Sequence, residues 1–596
     1  MAQLPNLDNA SINLGAYRDH ARKELVDALD SMRGKKVLVL DPKLSGPLAL
    51  IVQIALLKEH GVENLYHLTP EPIHTDCKNV MYLVRPRPGL MKLIAGHVRH
   101  DNREKLQRQY AVYFMPRKTI ACEKVLEDAG IFADVTLGEF PLDLLPFDED
   151  VLSLELDAAY KELLVDGDRS CLYDVAKALW RLQAVFGTIP NVKGKGRAAS
   201  HVADLMARMR REQPLPQIPP EIDTMVLIDR QVDMITPMCS QLTYEGLLDE
   251  FIHISNGSVE VDPTVMGQAA NPKKIKIPLN STDKLYRELR DLNFGVVGNI
   301  LRQKATAMRE DYKDLPQNQS VSQLKDFVKR LNILPEMTRH TNLAQHLTTF
   351  TTNPAFLSRL NIEQSMLEVR PEAPSEYIEE MIDKQEPLPS VLRLLCLLSL
   401  TCGGLPRKQF DFLRREILQS YGFEYTFTLN NLEKAGLLRR QDGRNTYPAV
   451  RRALKLVVEG QDDSNPTDIS YTFSGYAPLS IRLIQQALQD RWKSMDELLR
   501  SLPGPHFEKT QALDADGTPV EHEAQSISVD RPDGQRSLVL VVFLGGVTSA
   551  EISALRFLSG QENSKHEFLA ATTKLVTGTS LLQTLIDDDW RLRNNK

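Results

Sequence analysis

The residues with chemical possibilities gather first at the end of an apolar run, Met225–Ile228, in the stretch TMVLIDRQVDMITPMCSQLTYEGLLDE (224–250), where Asp229, Arg230 and Asp233 follow. Two carboxyls at this spacing could serve as general acid and general base. With an arginine between them they also suit a structural ion-pair cluster, and no further residue converges on them. A second candidate is NVKGKGR (191–197), where Lys193, Lys195 and Arg197 could hold an anion in a loop ahead of a helix. It lacks the GxxxxGK[ST] spacing with which backbone amides and a lysine cradle phosphates. A third is Gly545-Gly546 in FLGGVT: a helix N-terminus could take a phosphate there, or strand, turn and helix could simply pack closely. No GxSxG elbow and no HExxH helix occur. The six cysteines, at 77, 122, 171, 239, 396 and 402, form no CxxC pair and read as small buried side chains. No catalytic constellation, metal site or cofactor is expected.

The elements around these residues imply several domains, because 596 residues exceed one core. Residues 1–131 alternate strands (Val37–Asp41, Asn64–Leu68, Asn79–Val84, Tyr110–Met115) with helical patterns such as Leu48–Leu57, which implies a parallel sheet. Arg85 and Arg87 stand at a strand end, where ligands of open sheets usually sit. Residues 132–236 begin a second α/β unit with a helix over Ser170–Phe186. Residues 237–370 turn helical, with stripes at Leu285, Leu289 and Leu292, at Leu324, Phe327, Val328 and Leu331, and at Leu343 and Leu347. Pro335 interrupts them. Residues 371–465 contain three helices and then an expected β-hairpin over Arg439–Val450, turning at Asp442-Gly443, which is a winged-helix pattern. From Pro466 the α/β pattern returns with Leu538–Leu544 and Glu567–Thr573, so residues 466–596 should complete the domain begun at 132. The net charge of −7 argues against a nucleic-acid protein, although arginines cluster in the winged unit. No run is long enough to cross a bilayer and no signal peptide is expected, so the chain reads as cytosolic.

The strings LIDRQVDMITP through TYEGLLDE, VRPR (84–87), PFDEDVLSLE, LNNLEKAGLL (429–438), NPTDISYTFSGYAPLSIRL (465–483), LPGPHFE (502–508) and LVVFLGGVTSAEISALRFL (540–558) closely resemble the Sec-one/Munc-eighteen (SM) family. Within it they are most similar to the vacuolar protein sorting thirty-three branch, in its A form. The resemblance implies an arch of three domains, two parallel-sheet α/β domains and a mainly helical third domain with a winged-helix-like subdomain. It implies a regulator of SNARE-mediated fusion in late endosome and lysosome traffic, working inside the HOPS and CORVET tethering complexes, with no enzyme activity. Implied partners are syntaxin-type and VAMP-type SNAREs and the sixteen-type vacuolar sorting subunit. The SNARE helix is expected at Phe327, Leu331, Leu334, Pro335, Leu343 and Leu347, with the proline switching between bent and extended forms. The tether subunit is expected at Arg439, Arg440, Tyr447 and Val450 on the hairpin. Asp229, Arg230, Asp233, Gly246, Asp249, Gly545 and Gly546 are expected to be structural. A nucleotide- or nucleic-acid-binding protein is the alternative.

Overall fold

The computed structural model describes residues 4–269, 273–313, 334–369, 372–489, 492–513, 519–523 and 535–586. Two compact units divide the chain, Met1–Leu154 and Glu155–Lys596.

In the first unit, five strands lie in the order β2-β1-β3-β4-β5: β1 (Lys36–Leu40), β2 (Val62–His67), β3 (Asn79–Val84), β4 (Gln109–Phe114) and β5 (Val135–Glu139). All pairs are parallel, and β1 and β3 are nearly all-apolar runs because helices cover both faces. β5 belongs to this sheet, so the expected boundary at 131 moves beyond Glu139. A two-strand hairpin, β6 (Leu145–Asp148) and β7 (Val151–Ser153), follows. The helix expected over Leu48–Leu57 is two short ones, Ser45–Ala49 and Ile54–Glu59, separated by a turn at Leu50 and Ile51 and an extended Gln53. Arg85 is not a free strand-end cation: its Nε donates to Asp41 at 2.6 Å.

The second unit is built on β8 (Asn191–Lys195) and β9 (Thr224–Asp229), with a helical stretch holding the antiparallel pair β10 (Ser258–Val261) and β11 (Ile275–Pro278), which the sequence reading missed. It continues with β12 (His506–Leu513), β13 (Pro519–Glu523), β14 (Ser537–Leu544) and β15 (His566–Thr572). Within the unit the sheet order is β13-β12-β8-β9-β14-β15. β14 lies parallel between β9 and β15, so the late segment does return into the sheet begun before residue 236. β12 and β13 run antiparallel, which makes this sheet mixed.

The long insertion has two cores. One gathers Leu242, Tyr244, Leu285, Tyr286, Leu289, Leu343 and Leu347. The other joins Met366 to Leu456 with Val232–Cys239, Leu479–Ala487 and Leu581–Leu585, so packing runs unbroken through the expected boundary at 465. The three expected helices of the winged unit are Leu388–Thr401, Arg407–Tyr421 and Thr426–Lys434. The expected hairpin is absent. Arg440 makes a single bridge to Leu405, and Tyr447–Ala453 is a helix. Its start is capped by Asn445, whose Oδ1 accepts from the Tyr447 N–H at 3.0 Å, and Pro448 sits in the first turn where its missing N–H costs nothing.

Candidate binding groove and the clamp at the strand ends

Asp229, Arg230 and Asp233 do come together, but each is buried and held by partners within the fold. The Asp229 carboxylate accepts from the Ala198 N–H (2.9 Å) and the Gln231 N–H (3.0 Å), holding the start of the helix Arg197–Glu212. Gly196 permits this contact, since a Cβ there would lie 2.1 Å from the Asp229 Cβ. The Arg230 guanidinium donates to both oxygens of Glu551 (2.8 and 3.0 Å) and to the Asp233 carbonyl (2.8 Å). Glu551 also accepts from the Thr548 N–H, closing a capping box on the helix Ser549–Gly560, and from the Ser480 hydroxyl. Asp233 accepts from Thr236 and from the Ser480 N–H. A buried charge network of this kind has no acceptor left for a substrate proton. Its role is to clamp β9, the turn after β14 and the helix at Leu479 together. The sequence places Asp229, Arg230 and Asp233 together and Glu551 in the first turn of a helix capped by Thr548 or Ser549, but nothing in it joins Glu551 or Ser480 to the arginine. The signal for Glu551 was present in Thr548-x-x-Glu551.

The glycines at the turn serve the same clamp. A Cβ on Gly545 would meet the Arg230 Cβ at 2.9 Å, and its N–H is spent on Thr573 Oγ1. The Gly546 carbonyl accepts from Arg230. Gly246 is buried beside Gln241, whose Cβ a new methyl would meet at 2.7 Å. Asp249 accepts from the Ile254 N–H at 2.9 Å, closing the end of the helix Tyr244–Phe251.

Lys193 and Lys195 are not in a loop. Both lie in β8, buried, with Lys193 Nζ donating to the Ala487 carbonyl (2.8 Å) and Lys195 Nζ to those of Leu502 and Gly504. Each ammonium meets the carbonyl end of a helix, where positive charge is favoured. Arg197, at the start of the following helix, is the one exposed member of the three.

A surface with room for a ligand lies elsewhere. Helix Phe294–Lys313 and helix Leu334–Thr351 flank a groove of about 550 Å³ lined by Gly298, Leu301, Arg302 and Ala305 on one wall. Thr341, Ala344, Gln345, Thr348, Thr349 and Thr352 form the other. The threonines are less polar than their names. Thr348 Oγ1 donates to the Ala344 carbonyl (2.9 Å) and Thr352 Oγ1 to that of Thr348 (2.7 Å). Hydroxyls bonded back onto their own helix leave methyl groups for the groove. The far side of helix Leu334–Thr351 is fixed by His340, which is fully buried. Its Nε2 faces Asp283 at 3.0 Å and its Nδ1 faces the Tyr244 hydroxyl at 3.0 Å, while Arg339 also donates to Asp283.

Of the residues expected to bind a helix, only some can. Leu334 is 47% exposed and Pro335 is exposed beside it, in the first turn of its helix rather than at a central kink. Leu343 and Leu347 are fully buried in the core behind the groove, because the apolar stripe is the inward face. Phe327 and Leu331 lie outside the described residues. Tyr447 and Val450 are corrected likewise. They sit one helical turn apart on a buried face, and the Tyr447 hydroxyl donates to the Leu367 carbonyl at 3.1 Å. Arg439 and Arg440 are exposed, with the Arg440 guanidinium 4.5 Å from the Phe410 ring centre and paired with Asp411 at 3.1 Å.

The sequence pattern of the Sec1 family matches residues 36–584. The chain belongs to the Sec1 family. It is 54% identical over 591 residues to the vacuolar protein-sorting-associated protein 33 homolog of Arabidopsis thaliana, covering 98% of this chain and all of that one. It is 42% identical over 601 residues to vacuolar protein sorting-associated protein 33A of Rattus norvegicus, covering 98% and 99%. The fold is that of solved Sec1-family structures. The SM protein Vps45 in complex with the Qa SNARE Tlg2 superposes with a TM-score of 0.58 at 15% identity, covering 95% of this chain and 97% of that one. The Unc18–syntaxin 1 complex of Monosiga brevicollis gives 0.57 at 15%, covering 95% and 98%. As a Sec1-family chain of the vacuolar sorting type, the protein is a regulator of SNARE-mediated membrane fusion in vacuolar and endosomal traffic. Among the described residues no helix is long and apolar enough to cross a membrane.

Proposed function

We propose that this Sec1-family chain holds a SNARE helix in the groove between helices Phe294–Lys313 and Leu334–Thr351, and templates SNARE assembly as a subunit of the HOPS and CORVET tethering complexes. The observation that carries the reading is the groove itself. It has two helical walls whose surface, Arg302 and Gln345 apart, is made of small or methyl-bearing side chains, with buried Leu301 and Ala344 between them. An amphipathic helix laid in such a groove buries its apolar face without disturbing the walls. Support comes from Vps45 and Unc18, solved with the SNAREs Tlg2 and syntaxin 1. The chain works by binding rather than by catalysis, since the carboxylate–arginine cluster at the strand ends is consumed by the fold. Docking to the sixteen-type tether subunit uses the surface around Arg439 and Arg440, with Tyr447 and Val450 supporting that surface from within.

Gly298 gives the direct test. A Cβ at this helical position meets no atom within 4 Å. Gly298→Leu therefore fills the groove while raising helix propensity by roughly 1 kcal/mol. The variant should keep or slightly raise its melting temperature and lose affinity for a VAMP-type SNARE motif in fluorescence anisotropy. Unchanged affinity in the folded variant means that the SNARE helix binds elsewhere.

A further inference from the structure

Both walls of the groove carry outward residues at alternating spacings of four and three. On helix Leu334–Thr351 they are Leu334, Thr338, Thr341, Gln345, Thr348 and, just past its end, Thr352, all exposed and all uncharged. On helix Phe294–Lys313 they are Gly298, Arg302, Ala305 and Arg309, also exposed. Alternation of four and three is the seam of a coiled coil, so each wall offers a straight track to a helix supercoiling against it. The tracks differ in charge. One is neutral along its whole length, and the other sets two arginines seven residues apart on one line. Neither guanidinium makes an ion pair among the described residues, while Lys304 on the same helix is tied to Glu288 at 2.5 Å. No residue lining the groove is acidic.

Resting on the groove reading above, we infer that the bound helix is asymmetric: an apolar seam toward Leu301 and Ala344, a neutral flank toward the threonine track, and an acidic flank toward Arg302 and Arg309. The two arginines fix register and direction as well as charge. A helix whose acids lie seven residues apart meets both, and a shift of one turn leaves both unmatched. Exposed charges at a rim act mainly on association rate and on discrimination between partners. The threonine track contributes no such preference, so specificity resides on the arginine wall.

The experiment compares Arg302→Glu with Arg309→Glu, combined in one full-length chain, against the wild type and Gly298→Leu, with one VAMP-type SNARE motif as the probe. Its acidic flank residues are also exchanged for lysine in a second peptide. The doubly reversed chain should bind the native motif about tenfold more weakly at low ionic strength, and the difference should shrink as salt rises. It should prefer the lysine-exchanged motif, which the wild type rejects. Melting temperature should not move, because both side chains are exposed. Loss of binding by Gly298→Leu together with full binding by the reversed chain overturns the charge inference and leaves the groove reading standing. Full binding by both variants overturns both.

Discussion

Glu551→Ala removes the carboxylate on which the strand-end clamp depends, and the structure sets the size of the effect. Glu551 is fully buried and takes two hydrogen bonds from Arg230, one from the Ser480 hydroxyl and the capping bond from the Thr548 N–H. Stripping one partner from a buried pair costs about 3–5 kcal/mol, because the other charge stays buried and uncompensated. Arg230 retains Asp233, with Nε on the carbonyl at 2.8 Å and Nη2 3.4 Å from the carboxylate, which favours the lower half of that range. Loss of the helix cap adds about 1 kcal/mol. The expected loss is about 4 kcal/mol, against the roughly 5–15 kcal/mol that holds a native domain. Urea unfolding followed by tryptophan fluorescence reads it, since the Trp492 indole is buried with its N–H on the Leu483 carbonyl at 3.1 Å. Arg230→Met combined with Glu551→Leu should recover most of the loss, because neither charge then remains to be desolvated. A loss below about 1 kcal/mol for Glu551→Ala would refute the reasoning, as it would mean that water reaches the guanidinium.

Three further outcomes concern the helical insertion. Arg439→Glu with Arg440→Glu should reduce co-purification with tethering subunits at an unchanged melting temperature. Tyr447→Asp should instead lower the melting temperature by several degrees, since it buries a carboxylate among Leu456, Tyr476 and Val450; equal thermal stability would return Tyr447 to the surface. For Asp283, burial pushes the carboxyl up, but the His340 hydrogen bond and charge, the Tyr286 N–H and Arg339 outweigh it and hold the pKa below the ordinary value. A group depressed in the folded state stabilises fully above its unfolded value, about 4, and loses that contribution as pH falls through the folded one. Asp283→Asn should therefore flatten the acid side of the melting-temperature profile below pH about 4 and leave its slope near neutrality unchanged.

Long apolar runs made the sheets legible, because β1, β3, β9 and β14 are buried on both faces and their sequences say so without help from partners. The helix Ser170–Phe186 was legible in full from its apolar spacing. The groove was not. Periodicity locates the apolar face of Leu343 and Leu347 and leaves open whether that face points at a ligand or at a core. The opposite face escaped notice because threonine counts as polar until its hydroxyl is seen turned onto its own helix. Asp442-Gly443 advertised a hairpin, yet Asn445 and Pro448 a few residues on carried the helix-start signal that prevailed. Lys193 and Lys195 looked like an anion site because their carbonyl partners stand about 300 residues away in the chain.

That last separation has a consequence for the newborn chain. Glu551 lies 321 residues beyond Arg230, and the strand that must sit beside β9 begins only at Ser537. At a synthesis rate of roughly 5–20 residues per second, about 16–64 seconds pass between the emergence of the arginine and that of its carboxylate. Throughout that interval β9 has an open edge ready to pair with any other strand, and the guanidinium has only Asp233. The part of the helical insertion around Leu242, Tyr244, Leu285 and Leu343 has a core of its own and time to fold first, whereas the core from Met366 to Leu456 waits for Leu479–Ala487 and Leu581–Leu585. Maturation of this second unit thus ends only when the last segment threads back into a place held open since β9 emerged.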